Sequence, residues 1–287
     1  MQRVVAHYLN REIMPKTPQL NLTTKEIESL IEKVHSGEID EFNLPIEYYY
    51  HVNFLLKQAL YKGFEIKNET ELSDKPLKLV EELKTNIAHF SAAKTFQQTK
   101  DMTDALTKDG ELLSFSQFKK EAADIYARYN GGKFMQDEEK IGYLQTEYNM
   151  TVSNAQHCVN WERIEADKEV LPYVMRNEVE DENECELCEP YNNLTVPVSD
   201  PICNELGAEI HPNCRGFWEQ VDKETGDDKY DKEEVNKTWE ENKDNISPMC
   251  RGNSYKTREI FNKDTPAFDV PGKYLEFAKK NFGLPLD

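Results

Sequence analysis

Apolar residues recur at intervals of three and four through the first part of the chain, which is the spacing of amphipathic helices. The first predicted helix has capping-box spacing at Thr23 and Glu26 and is ended by Gly37. Its apolar stripe consists of Ile27, Leu30, Ile31 and Val34. The same periodicity predicts further helices over residues 45–61, 74–96, 114–130 and 136–164. Residues 21–168 are therefore predicted to form a mostly helical region.

After about residue 169 the helical spacing gives way to alternation. Residues 171–179 alternate between apolar and polar side chains, as a half-buried strand does. Further short strands are predicted over residues 194–198 and 216–221. Residues 169–221 are therefore predicted to form a small, zinc-knuckle-like module that contains β-strands. The predicted fold class is α+β, with the helical region first and the β-containing module after it.

Three segments remain outside these two regions. Residues 1–20 are interrupted by prolines and are predicted to be an N-terminal arm. Residues 222–250 form an acidic charged segment, which indicates a solvated helix or a linker with Trp239 as its only large anchor. Residues 251–287 form a tail with aromatic side chains among prolines and lysines. This tail either docks on a partner or folds back on its own domain, and we expect it to fold back.

Charge limits the classes of partner. The 287 residues carry 54 acidic and 35 basic side chains, a formal net charge of −19. Nucleic acids and anionic membranes are bound by clustered Lys and Arg, so this balance argues against a general binder of either kind. No apolar run approaches the roughly 20 residues of a membrane span, and the first residues do not have the pattern of a signal peptide. We therefore expect no membrane partner.

Cysteine usage supplies the candidate chemistry. The six cysteines are Cys158, Cys185, Cys188, Cys203, Cys214 and Cys250. In a long chain without a secretion signal, close pairs of cysteines favour metal binding over disulfides. Cys185 and Cys188 form one close pair, and His211 and Cys214 form another. Tetrahedral zinc takes such a set of thiolate and imidazole ligands, so the sequence predicts a zinc site at these four residues.

Four protein ligands suit a structural zinc site, because catalytic zinc normally keeps one position for water. Three thiolates and a neutral imidazole leave the site with a net charge of about −1, which Arg215 is placed to offset. Pro212 is expected to stiffen the turn that presents His211 and Cys214. The alternative is a metal-free site of reduced thiols, held by packing and hydrogen bonds.

Other candidate residues have simpler interpretations. Cys203 is expected to be a buried apolar side chain. His157 and Cys158 are adjacent on a helix and point in different directions, so a core or surface role is expected. Glu178 and the acids that follow it are expected to form a solvated acidic loop and not a hard-metal or hydrolytic site. Asp181 has a second interpretation, as a hydrogen-bonding partner of the backbone or of a ligand.

The cysteine-rich stretch resembles the C-terminal module of the phage Mu F-like minor head proteins (phage head morphogenesis proteins). The resemblance covers roughly residues 152–221 and consists of a long helix, a strand, Cys-Glu-Leu-Cys, a loop and His-Pro-Asn-Cys-Arg. By matching position, it implies the metal ligands Cys185, Cys188, His211 and Cys214. Family members often have another cysteine after the arginine, and Gly216 stands at that position here.

The resemblance implies a minor structural protein of a tailed-phage head that acts in head assembly and in DNA packaging or delivery. The implied partners are the portal protein, the major capsid protein or both, with indirect contact to packaged DNA. The implied location is the virion, after assembly in the host cytoplasm.

The interpretations that compete with a structural head protein are an enzyme, a nucleic-acid-binding module and a chaperone or adaptor. Neither a Gly-x-Ser-x-Gly motif nor a glycine-rich phosphate loop occurs, so we expect no enzyme and no small-molecule substrate. The alternative class is a zinc-supported nucleic-acid-binding module or nuclease, against which the acidity counts. A third interpretation is a chaperone or adaptor with no place in the mature particle.

Overall fold

A computed structural model describes residues 24–130, 143–179 and 185–284 of the chain. Its helices are α1 (Thr24–His35), α2 (Ile46–Gly63), α3 (Asp74–Asp104), α4 (Phe115–Asn130), α5 (Tyr143–Asp167), α6 (Ile202–Glu205), α7 (Lys223–Lys229), α8 (Lys232–Asn242), α9 (Ser254–Thr257) and α10 (Gly272–Phe282). Its strands are β1 (Thr107–Lys108), β2 (Glu111–Leu112), β3 (Tyr173–Asn177), β4 (Thr195–Pro197) and β5 (Phe217–Val221). None of these helices is both long and apolar enough to cross a bilayer.

The α+β class is confirmed: most described residues are helical, and the strands form small antiparallel sheets. Helices α1 to α5 correspond to the five predicted helices, and β3 to β5 correspond to the three predicted strands. The predicted start at Ser114 is confirmed in detail, because the Gln117 side chain accepts hydrogen bonds from the backbone N–H and the hydroxyl of Ser114. The predicted arm over residues 1–20, Thr23 and Asp181 lie outside the described residues, as do residues 136–142 of the fifth predicted helix.

The described residues divide into two compact units, and neither is one continuous stretch of chain. The sheet unit comprises residues 59–83, 149–179 and 185–262. The helical unit comprises residues 24–58, 84–130, 143–148 and 263–284. The sequence pattern alone predicts five consecutive segments, residues 1–20, 21–168, 169–221, 222–250 and 251–287. Long helices of the first 168 residues contribute to both units, which a reading in chain order does not reveal.

The helical unit contains apolar clusters and a buried ion pair. One cluster joins α1, α3 and α4 through Ile27, Ile31, Val34, Met102, Phe118, Ala122 and Tyr126. The buried pair is formed by Lys94 Nζ and Glu147 Oε1, which are 2.7 Å apart. Lys94 also donates to the carbonyl oxygen of Tyr129 at 3.2 Å. The lysine is thus paired and hydrogen-bonded, as a buried charge must be.

The tail folds back, as expected. Helix α10 lies in the helical unit, where Tyr274 donates a hydrogen bond to the carbonyl oxygen of Ala92 at 2.5 Å. The Phe282 ring stacks on Tyr49 with ring centroids 4.1 Å apart. Tyr274 and Phe282 are buried, so these aromatic side chains of the tail belong to a core within the chain.

The sheet unit is built on three antiparallel strands in the order β4-β3-β5. Helix α5 packs on this sheet through Trp161, whose ring meets Trp218 edge to face at 5.9 Å between centroids. Two side-chain amides reinforce this packing: Asn160 donates to the Trp218 carbonyl at 2.8 Å, and Gln220 donates to the Ile164 carbonyl at 3.0 Å. The sheet and α5 therefore form a fixed base from which the connecting loops project.

The acidic segment is folded, so its helical alternative is confirmed and its linker alternative is wrong. Asp222 and Asp231 cap α7 and α8 by accepting hydrogen bonds from the first-turn backbone N–H groups. Its buried apolar residues are Val235, Ile246 and Cys250, whereas Trp239 is half-buried. The acidic side chains serve as caps and solvent-facing positions, which lets apolar residues between them pack inward.

Gly63 allows a close approach within the sheet unit. A Cβ at Gly63 would lie 2.6 Å from the Val152 carbonyl oxygen and would also collide with Ala155 Cβ. Replacing glycine by alanine normally stabilises a helix, but here the methyl group meets backbone, which cannot give way cheaply. We expect Gly63→Ala to lower the free energy of unfolding by about 1–3 kcal/mol in urea titrations followed by circular dichroism.

The matched control is Gly272→Ala. A Cβ at Gly272 meets no atom within 4 Å, so this substitution should be neutral or slightly stabilising. Equal effects of the two substitutions would show that the close approach at Gly63 is absent.

Candidate metal centre

The first donor pair is presented by a tight turn between β3 and β4. The backbone N–H groups of Cys188 and Glu189 both donate to the Cys185 carbonyl oxygen, at 2.9 and 3.2 Å. This turn brings both thiols to the same side of the loop, with the two Sγ atoms 3.1 Å apart. Cys185 and Cys188 are separated by two residues, and a single turn therefore brings their thiols together, as expected from the sequence.

The second donor pair is presented by the turn His-Pro-Asn-Cys. The Cys214 N–H donates to the His211 carbonyl oxygen at 3.0 Å, which closes the turn. Pro212 occupies the position after His211, and Asn213 has a φ of 66°. Proline followed by a residue with positive φ is typical of a type II turn, and asparagine tolerates that conformation. Asn149 of α5 donates to Asn213 Oδ1 at 3.0 Å, which fixes the turn to the base of the unit.

The two pairs meet. His211 Nε2 lies 3.0 Å from Cys185 Sγ and 3.2 Å from Cys188 Sγ. Cys188 Sγ lies 3.6 Å from Cys214 Sγ. Around one tetrahedral ion with bonds of about 2.0–2.3 Å, neighbouring donors are roughly 3.3–3.8 Å apart, so the Cys188–Cys214 separation matches and the separations among Cys185, Cys188 and His211 are slightly shorter. The four predicted residues therefore form a cluster that could bind a metal ion.

Within the described residues, the donors fall into two groups that share Cys188. Cys185, Cys188 and His211 form one group, and Glu178, Cys188 and Cys214 form the other; within each group the donor atoms lie within 4.8 Å of one another. All five side chains line a single cavity of about 30 Å³. A cavity of this size can hold one ion or one water molecule.

Glu178 corrects one expectation from the sequence. It was expected in a solvated acidic loop, but it is buried beside Cys214, with Oε2 3.8 Å from the cysteine Sγ. Its backbone N–H donates to Asn192 Oδ1 at 3.0 Å, which holds the chain inward just after β3. Burial raises the pKa of Glu178 to about 7, although Arg176 acts in the opposite direction.

Arg176 belongs to the site but is not among the residues predicted from the sequence. Its side chain is fully buried, and its guanidinium donates to Glu178 Oε1 at 2.7 Å and to the carbonyl oxygens of Gly207 and Ala208. One guanidinium nitrogen, Nη2, lies 3.7 Å from Cys214 Sγ. Arg215 also lines the cavity, and its role in offsetting the charge of the site stays a prediction.

The signal for these two residues was present in the strand pattern. Alternate residues of β3 are buried, and Arg176 lies on the same face as Val174. Glu178 continues that face just beyond the strand end. An arginine and a glutamate two residues apart on an inward strand face indicate a buried ion pair, because neither charge is tolerated there alone.

The electrostatics of the cluster favour a cation at its centre. A hydrogen bond from Cys188 lowers the pKa of Cys214 well below its usual value, and Arg176 acts in the same direction against burial. Burial lowers the pKa of His211, but the Pro212 carbonyl and the thiolates outweigh it, so the pKa is raised. The charges that hold a proton on this imidazole would equally attract a metal ion, which takes the proton's place at Nε2.

The chain has no significant match among protein-family models, curated proteins or solved structures. Any function must therefore be inferred from the thiol, imidazole and carboxylate groups of the cluster.

The other candidate residues lie outside the cluster. Cys203 is buried, with Sγ 3.7 Å from the Pro197 carbonyl oxygen, as expected of an apolar core residue. His157 and Cys158 are fully buried in α5, and the His157 ring packs near Trp161 at 5.4 Å between centroids. Burial lowers the pKa of His157 to about 3, so this imidazole is neutral in the core.

Removing the Arg176 charge tests its role in the site. Arg176→Met leaves Glu178 buried without its partner and removes the donors of two backbone carbonyls. Breaking a buried ion pair in this way costs about 3–5 kcal/mol, and we expect a loss of that size in urea unfolding at neutral pH.

The matched control is Arg251→Met. Arg251 pairs with Glu205 at 3.5 Å, and the two side chains are 40% and 53% exposed, so its loss should cost no more than about 1 kcal/mol. If both substitutions cost the same, Arg176 does not hold the site together.

Proposed function

We propose that this chain is a minor structural protein of a tailed-phage head, associated with the portal or the capsid, in which a structural zinc ion braces the module of residues 169–221. The observation that carries this proposal is the meeting of Cys185, Cys188, His211 and Cys214 at one small cavity. These are the residues to which the resemblance to phage Mu F-like minor head proteins assigns metal binding.

The donor chemistry supports zinc and a structural role. Thiolates and imidazole are the ligands that zinc takes in structural sites, whereas magnesium and calcium prefer oxygen. When all the donors come from the protein, no position is left for a reacting water, so the proposal includes no enzymatic activity. The ion would connect the turn at Cys185–Cys188 to the turn at His211–Cys214 and add its binding free energy to folding.

Charge and fold support an assembly role for the rest of the chain. In the proposal the helical unit engages the portal protein, the major capsid protein or both. A net charge of −19 suits a partner with a basic face and disfavours direct contact with DNA, so any contact with packaged DNA is indirect. The chain would be found in the virion, and in the host cytoplasm during assembly.

Metal analysis tests the zinc centre. Purified, reduced protein should contain about one zinc ion per chain, and Cys185→Ser or Cys214→Ser should remove most of it. Without the ion, backbone amides of residues 171–221 should exchange hydrogen faster, while those of the helical unit keep their protection, as measured by hydrogen exchange with mass spectrometry.

The control for this experiment is Cys203→Ser, the same change at a buried thiol outside the cluster. It should keep the zinc. A wild-type metal content near zero would refute the zinc centre, and a loss of protection throughout the chain would refute its local role.

Analysis of particles tests the assembly role. The chain should remain with purified phage heads through a density gradient and should cross-link to the portal or major capsid protein. Recovery only from the particle-free lysate would favour a chaperone or adaptor. Binding to DNA that persists above moderate salt would favour the nucleic-acid-binding alternative.

A further inference from the structure

The carboxylate of Glu178 has one oxygen committed to an ion pair and the other directed toward the cysteines. Oε1 accepts from Arg176 Nε at 2.7 Å. Oε2 lies 3.8 Å from Cys214 Sγ. The side chain is held from both ends, because its backbone N–H is also bonded to Asn192. The orientation of Oε2 is therefore fixed by three neighbouring groups.

The position of Oε2 fits that of a metal donor. Zinc binds carboxylate oxygen at about 2.0–2.2 Å and thiolate sulfur at about 2.3 Å, so O and S donors that subtend about 120° at a five-coordinate ion are roughly 3.8 Å apart. The observed 3.8 Å is close to this value. Glu178, Cys188 and Cys214 also satisfy the same distance limit as Cys185, Cys188 and His211, and both groups line the same cavity.

Gly216 shows that the fold leaves room for this carboxylate. A Cβ at Gly216 would collide with Arg176 Nη2 and with both carboxylate oxygens of Glu178. The φ of Gly216 lies outside the left-handed region, so its backbone does not require glycine. The absence of a side chain is needed because the Arg176–Glu178 pair fills that space. With Gly216 behind it, the carboxylate stays against the sulfurs.

Charge gives the reason for a bond to the ion. Three thiolates and a carboxylate at one cavity repel one another, and the guanidinium groups of Arg176 and Arg215 are two positive charges against these four negative ones. A divalent cation between the carboxylate and the sulfurs converts this repulsion into attraction.

We propose that Glu178 Oε2 is a fifth donor to the metal, beside Cys188 and Cys214, and that Arg176 is the residue that positions it. This inference rests on the metal centre of the proposed function. It changes the ligand set from three sulfurs and one nitrogen to three sulfurs, one nitrogen and one oxygen.

Cobalt(II) in place of zinc tests the fifth donor. The d–d absorption bands of cobalt(II) gain intensity when the coordination number falls from five to four, whereas the charge-transfer bands report the number of thiolates. Glu178→Gln keeps the size of the side chain and an oxygen for Arg176, but a neutral amide is a poor ligand. We expect its d–d bands to shift and intensify, its charge-transfer bands to persist, and its metal affinity to fall by about tenfold or more.

The matched control is Glu186→Gln, which removes the same charge from an exposed position between the two cysteines of the first turn. Its spectrum and affinity should equal those of the wild type. A Glu178→Gln spectrum identical to wild type, with affinity changed by less than about twofold, would mean that Glu178 is only the partner of Arg176.

X-ray absorption of the wild-type zinc protein gives a second measurement that needs no variant. Three sulfur and two lighter donors are expected around the ion. Three sulfurs and one lighter donor would overturn the role of Glu178 and leave the zinc centre intact. A wild-type protein that binds no metal would overturn both.

Discussion

The stability of the sheet unit depends on how the negative charges of its cysteine thiolates and of one buried carboxylate are balanced by positive charge. Cys185, Cys188 and Cys214 converge with Glu178 at the end of β3, and the buried cation beside them is Arg176. Charges removed from water are stable only when each has a partner. The arginine also binds the carbonyls of Gly207 and Ala208, so it joins the strand, the loop before His211 and the carboxylate in one network.

The buried ion pair of the helical unit shows the contrast. Lys94 and Glu147 form a pair of one cation and one anion, and the lysine finds a further acceptor in the Tyr129 carbonyl. That pair is compensated by the protein alone. In the sheet unit, the Arg176 guanidinium is paired with Glu178 and also lies 3.7 Å from Cys214 Sγ, so one cation is shared between a carboxylate and a sulfur. The thiolates are left to a metal ion or to protons, and this is what distinguishes a metal centre from an ordinary buried salt bridge.

The parts of this arrangement that could be predicted from the sequence are the local ones. Cys185 with Cys188, and His211 with Cys214, are each set by a single turn, and Pro212 and Asn213 favour that turn by their own backbone preferences. The helices and strands likewise follow from periodicity within one segment. Arg176 and Glu178 could be recognised only by assigning a face to every residue of β3, and the acceptors at Gly207 and Ala208 come from a distant loop. The division into two discontinuous units depends on contacts between residues far apart in the chain, for which composition and periodicity contain no signal.

The acidic segment and the cysteine–histidine cluster are connected to the same sheet. Helix α7 lies against the sheet, where Asp227 accepts a hydrogen bond from the Tyr173 hydroxyl at 2.7 Å, and a Cβ at Gly226 would collide with the Tyr173 ring. Tyr173 and Arg176 belong to the same strand, β3, one at its outer end and the other beside the cysteines. A disturbance at the metal centre that shifts β3 would therefore reach α7 through Tyr173. Helix α7 contacts β3 and the turn at Cys185–Cys188 follows β3 in the chain, so the ion in the proposed centre would brace the strand that both adjoin.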